Sequence, residues 1–161
     1  MSQKKKNPLS CDWEKSASRA HSNKSMHRKY KSRLYKYRSN SLWKGIKIET
    51  YKPASQDWAH VIRQTLIGSR SETTKFHLRY FEIAPSGHTS LEMHKHEHVV
   101  IGIRGKGICT VAKKNYALGF LDVLYIESYA PHQLKNPFGE PFGFFCIVNA
   151  KRDRPKIIHR D

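Results

Sequence analysis

Between His88 and His98 the chain carries four histidines and two glutamates, His88, Glu92, His94, His96, Glu97 and His98. Imidazole and carboxylate are the side chains that hold borderline divalent metals, so this density on a strand-forming stretch marks a candidate metal centre. His132, in Ala130-Pro-His-Gln-Leu-Lys-Asn136, is a further candidate ligand from a distant part of the chain. His77 and His88 read as ordinary histidines at strand ends. The cysteines, Cys11, Cys109 and Cys146, are odd in number and widely spaced. They offer no C-x-x-C pair for a zinc knuckle or redox motif. Cys109 and Cys146 lie in apolar runs and read as small buried hydrophobes, Cys146 with access to a pocket.

The elements that must position these groups are short. Beyond Trp43, segments rich in Val, Ile, Phe, Tyr and Thr alternate with Gly, Pro, Asn and Ser at strand-and-turn spacing. Strands are expected over 45–51, 60–67, 76–84, 89–94, 98–104, 107–113, 116–118, 122–126, 132–136 and 142–150. Pro85-Ser-Gly87, Gly105-Lys-Gly107, Lys113-Lys-Asn115 and Asn136-Pro-Phe-Gly139 supply turns. The reading is all-β, a closed barrel or jelly roll. Phe76, Tyr80, Phe81, Phe120, Phe142, Phe144 and Phe145 are its expected core aromatics.

With 161 residues the chain has room for one ordinary domain. Its net charge of +17 is uneven: residues 1–50 hold 14 Lys and Arg against 3 acids, and residues 51–161 hold 16 against 10. The expected organisation is a basic arm over 1–42, a barrel over 43–154 and a basic tail over 155–161. The arm is read as loosely ordered, with residues 25–38 able to form a helix on a partner. Its Lys and Arg interleaved with Tyr suit an anionic surface or, through residues 24–38, nucleic acid, although a solvated or dimer-bracing arm explains them as simply. Lys4, Lys5 and Lys6 lead into polar sequence, so no signal peptide is expected. No apolar run of about twenty residues is present, so no membrane partner is expected, and a cytoplasmic setting fits the cysteine usage.

Residues 75–150 resemble the cupin superfamily, whose first motif has the form G-x5-H-x-H-x3,4-E-x6-G and whose second is G-x5-P-x-G-x2-H-x3-N. His132 and Asn136 match the second. In the first, the text H-x-H falls on His94 and His96, but the third ligand then has no room to reach the next strand. Anchoring on Gly105 instead gives Glu92-x-His94-x3-His98-x6-Gly105, with Glu in place of the first His and His in place of the Glu. The resemblance therefore implies a metal set of Glu92, His94, His98 and His132, with His96 as the substitute ligand and otherwise a hairpin residue facing the mouth or solvent. Leu121, Glu127 and Tyr129 stand where the second motif has Gly, Pro and Gly.

The resemblance further implies a jelly-roll barrel holding one divalent transition metal, Zn, Fe, Mn, Ni or Co, with a small-molecule ligand and a homodimer as partners. Gln133, Asn136 or a backbone carbonyl would orient the imidazoles. The expected function is that of a metal-binding single-domain cupin, an enzyme such as a dioxygenase, isomerase or lyase. Its rivals are a non-catalytic sensing module whose arm contacts an anionic partner, and a metal-free structural barrel.

Overall fold

The computed structural model describes residues 32–159. These lie almost wholly in the second of the chain's two compact units, Leu34–Asp161. Most of the basic arm falls outside the described residues; of the segment 25–38 only 32–38 is described, and it is not helical but runs into a strand. Among the described residues there is no helix long and apolar enough to cross a membrane.

The strands are β1 (Tyr37–Arg38), β2 (Leu42–Trp43), β3 (Glu49–Thr50), β4 (Ala59–Ile67), β5 (Phe76–His88), β6 (Glu92–Met93) and β7 (His98–Arg104). Next come β8 (Gly107–Val111), β9 (Lys114–Leu118), β10 (Val123–Ile126), β11 (His132–Lys135), β12 (Phe142–Asn149) and β13 (Lys156–Ile157). All but the β1–β2 hairpin join in one antiparallel barrel sheet with the order β10-β7-β12-β5-β11-β6-β13, on which β3–β4 and β8–β9 are branches. The strand expected over 98–104 is present end to end, whereas 45–51 and 89–94 shrink to β3 and β6. β13 pairs with β6, Ile157 opposite Glu92.

The turn expected at Pro85-Ser-Gly87 is instead a bend within β5. Residues 76–83 pair with β12 and His88 pairs with Lys135 of β11, so this one strand passes from one set of neighbours to another. Ser86 takes φ +63° at the bend. At Gly87 an added Cβ would lie 2.8 Å from the Ala59 carbonyl oxygen, a contact that shuts out any side chain. Corners of this kind let a strand serve two faces of a barrel.

Alternation sets the interior. Arg79, Phe81 and Ile83 of β5 stand beside Cys146, Phe144 and Phe142 of β12, and Val100 and His98 of β7 stand beside Cys146 and Val148. Ile83, Val100, Cys109 and Phe142 are fully buried there. Each large apolar side chain so placed contributes about 1.5–3 kcal/mol. Tyr80 and Phe145 face the other way and are covered by Trp43 of β2, at ring separations of 5.1 and 5.8 Å. Phe76 and Phe120, expected inside, are 43% and 69% exposed. Phe76 opens β5 at its frayed end, and Phe120 belongs to the β9–β10 turn, where no opposing layer covers it.

The departures from the second motif have a backbone consequence. Leu121 and Tyr129, at the two glycine positions of the pattern, keep the left-handed conformation that glycine favours, with φ +65° and +61°. Such a conformation costs an L-residue about 1–2 kcal/mol. Replacing Leu121 with Gly relieves this and adds about 0.5–1 kcal/mol of chain entropy loss. The expected outcome is a gain in stability of at most about 1 kcal/mol, read by urea unfolding; a clear loss would show that the exposed leucine makes contacts that outweigh the strain.

Candidate metal centre

His98 opens β7, His132 opens β11, and His94 follows β6 directly. Cross-strand pairing puts His132 opposite Glu92 and His98 opposite Ile126, so side chains remote in sequence meet at one end of the barrel. One nitrogen from each of His94, His98 and His132 lies within 4.8 Å of the others, and all three residues are buried. Glu92, also buried, stands beside them with Oε1 4.0 Å from His94 Nε2.

What orients the rings is visible. His94 Nδ1 donates to the carbonyl oxygen of His96 at 2.7 Å, and His132 Nδ1 donates to that of Ala130 at 2.9 Å. His98 Nδ1 lies 3.5 Å from Cys146 Sγ. With Nδ1 donating to a carbonyl oxygen, His94 and His132 each keep the lone pair on Nε2. His94 Nε2 and His98 Nε2 are buried with no hydrogen-bond partner among the described residues. Orphaned, inward-facing imidazole nitrogens are what a metal ligand set looks like, and they fit a divalent transition metal. Of the orienting partners expected from sequence, backbone carbonyls serve, while Gln133 and Asn136 turn elsewhere: Gln133 donates to Thr89 O at 2.8 Å and Asn136 to Ile83 O at 2.9 Å.

Electrostatics keep the imidazoles neutral and the carboxylate charged. Burial, reinforced by His132 and His94, holds His98 far below the usual imidazole range. Burial and the neighbouring His96 depress His94, and burial depresses His132. Burial pushes the Glu92 carboxyl up, but the Lys52 ammonium bonded to it, Ser90 Oγ at 2.9 Å and His132 outweigh that and leave it below the ordinary value.

His96 lies in the link between β6 and β7, as expected, and of the two directions expected for it faces the cavity and not solvent: its ring is buried and stacks on His94 at 3.7 Å. Its Nδ1 bonds Asp153 Oδ1 at 2.7 Å, and Asp153 also accepts the backbone N–H of Lys95 at 2.9 Å. Those bonds, the Lys95 N–H first, hold the Asp153 carboxyl well below its ordinary range. Asp153 sits in a run of basic residues and had no local signal. Lys52, Arg63, Arg79 and Arg152 were likewise missed; with Glu92, His96, His98, His132, Cys146, Phe81 and Phe144 they line a cavity of about 180 Å³ beside the cluster.

A jelly-roll barrel whose strand-borne histidines meet at one end defines a cupin, and the chain belongs to the cupin family. The family model for the cupin domain matches residues 79–148, from within β5 to β12. A 1-methylthio-D-xylulose 5-phosphate methylsulfurylase of Rhodospirillum rubrum is 36% identical over 122 residues, covering 75% of this chain and 77% of the relative. Among solved structures, a cupin-2 domain protein from Rhodospirillum rubrum superposes with a TM-score of 0.68 at 34% identity, over 81% of this chain and 84% of that one. A cupin 2 conserved barrel domain protein from Rhodopseudomonas palustris gives 0.72 at 32% identity, over 78% and 86%.

Two outcomes test the centre. Elemental analysis of the purified chain is expected to find divalent metal that is lost from His132→Ala and His98→Ala. Glu92→Ala should weaken it more than His96→Ala; the reverse order would move the ligand set to His94 and His96. The second concerns pH in the metal-free chain. The unfolded chain takes up protons on these imidazoles below about 6.5, and the folded chain refuses them. Stability is therefore complete above that pH and falls as the pH drops below it, by about 1.4 kcal/mol per pH unit for His98 alone. Urea titrations at pH 8, 6 and 5 read this, and a flat profile would contradict neutral, buried rings.

Proposed function

We propose that this cupin is a metal-dependent enzyme acting on a small phosphorylated compound of the kind named for its Rhodospirillum rubrum relative, a methylthio pentulose phosphate. The observation that carries the reading is the set of unpartnered imidazole nitrogens at the edge of a cavity that is itself lined by four cationic side chains. A bound divalent metal would supply Lewis acidity there, polarising a carbonyl or hydroxyl oxygen of the substrate.

The chain's own residues do the rest. His94, His98 and His132 would hold the ion, each turned by its Nδ1 contact. Glu92, kept ionised by Lys52 and Ser90, is within reach of the same space and can ligate or accept a proton through Oε1. Phe81, Val100, Leu134 and Phe144 keep the walls apolar, so water is restricted beside the reacting carbons. At about 180 Å³ the cavity is smaller than the roughly 300–1,000 Å³ of sites for drug-sized ligands, which suits a compact sugar phosphate.

The rival reading, a sensing module with a closed metal, is disfavoured by this adjoining cavity. The decisive experiment gives metal-loaded chain 1-methylthio-D-xylulose 5-phosphate with a thiol present and follows the compound by mass spectrometry. The expected result is consumption that stops on chelation and falls at least a hundredfold in His132→Ala, from loss of a ligand that positions the metal. An intact compound after prolonged incubation with loaded chain rejects the reading.

A further inference from the structure

Three guanidinium groups converge on the cavity beside the imidazole cluster: Arg63 from β4, Arg79 from β5 and Arg152 just after β12. Like charges gathered in one place need a reason, because each raises the cost of ionising the next. Burial, reinforced by repulsion from Arg79 and Arg63, depresses the Arg152 pKa.

The local carboxylates offset only part of this charge. Glu92 is bonded to Lys52, and Glu49 pairs with Arg63 at 2.8 Å. Asp153, next to Arg152 in sequence, is engaged with His96 and the Lys95 backbone. Among the described residues Arg79 and Arg152 are in no ion pair. Their contacts are with neutral groups. Arg79 Nη2 donates to Cys146 Sγ at 3.4 Å and its guanidinium lies 5.1 Å from the centre of the Phe81 ring. Arg152 Nη1 contacts His77 Nδ1 at 3.1 Å and the Asn149 carbonyl oxygen at 3.4 Å. Arg79 Nε is buried and has no hydrogen-bond partner among the described residues.

We infer that Arg79 and Arg152, backed by Arg63, form the anion subsite of this cavity and take the phosphomonoester group of the substrate. The inference rests on the proposed function for its choice of substrate but adds the groups that select it. Two unpaired guanidinium charges match a phosphomonoester, which carries close to two negative charges at neutral pH and offers three acceptor oxygens. A guanidinium presents parallel N–H donors at the spacing of phosphate oxygens, which an ammonium cannot do. Position agrees with chemistry. Cys146 Sγ touches Arg79 on one side and His98 Nδ1 on the other, so this sulfur and the His98 ring lie between that guanidinium and the cluster-facing Nε2. Arg79, Arg152, His98 and His132 line the same cavity, so a ligand that spans it can place its phosphate on the arginines and its other end toward the imidazoles.

The test uses full-length, metal-loaded chain and inorganic phosphate as the probe, with affinity read by isothermal titration calorimetry in low-salt buffer without competing anions. D-xylulose 5-phosphate and D-xylulose are titrated in parallel. The variants are Arg79→Met, Arg152→Met and Arg152→Lys, with Lys114→Met, on exposed β9, as a control for diffuse charge. Phosphate and the sugar phosphate should bind wild type and Lys114→Met alike, and D-xylulose at least tenfold more weakly. Arg152→Met should lose at least tenfold in phosphate affinity with its metal content unchanged, and Arg152→Lys should recover only part. Because Arg152 stands outside the sheet, it carries the test even where Arg79→Met fails to fold. Phosphate that does not bind wild type, binds Arg152→Met as tightly as wild type, or is weakened equally by Lys114→Met overturns the subsite. Turnover is not read in these titrations, so a chain that binds phosphate through the arginines yet leaves the methylthio pentulose phosphate intact refutes the proposed reaction and keeps the subsite.

Discussion

Two imidazole nitrogens buried in a protein with nothing to bond are the constraint around which this barrel is arranged. An orphaned buried polar atom costs about 1–3 kcal/mol, and His94 Nε2 and His98 Nε2 both carry that cost. The rings cannot turn away to find partners, because their other nitrogens are held by the His96 carbonyl and by Cys146. Protonation would not relieve them either, since burial and the neighbouring rings oppose a charge there. Coordination is the chemistry that recovers the cost, and the neutrality of the rings suits them for it.

Around that cluster the charges are divided by depth. The single carboxylate of the cavity lining, Glu92, is next to the imidazoles and is fixed by Lys52. The guanidinium groups come from β4, from β5 and from the segment after β12, none of which carries a clustered histidine, and Cys146 lies between Arg79 and His98. A cavity lined by one dominant sign of charge, with aromatic walls, concentrates ligands of the opposite sign. The C-terminal segment takes part in this division: Arg152 serves the cationic side, Asp153 ties down the His96 loop, and Ile157 pairs with the strand that carries Glu92.

Sequence made the barrel and its histidines legible because both depend on short-range patterns. Alternation revealed β7 from end to end, and the spacing from Glu92 to Gly105 identified the histidines that converge with His132. Gly105 proves to need its identity: it sits at φ +58°, where a Cβ would lie 2.3 Å from the Pro141 carbonyl oxygen. What sequence could not show was set by pairing between distant strands. Arg63 and Arg79 look like ordinary polar residues of half-buried strands, and only the β4–β5–β12 register puts them at one cavity. For His96 the sequence left both the mouth and solvent open, because the partner that fixes it, Asp153, lies 57 residues away. Phe120 looked like core by type alone, and the turn that holds it offers no layer to pack against.

The position of β12 has a bearing on how the polypeptide is made. It sits between β5 and β7, hydrogen-bonded to both, yet comes after them in sequence by dozens of residues and is succeeded among the described strands by β13 alone. A chain emerging from the ribosome therefore exposes the inward edges of both neighbours, with their apolar faces, until nearly the whole domain has been translated. Unpaired edges of this kind are where nascent β proteins associate with each other. Such a topology favours a late, all-at-once closure, once the last long strand arrives.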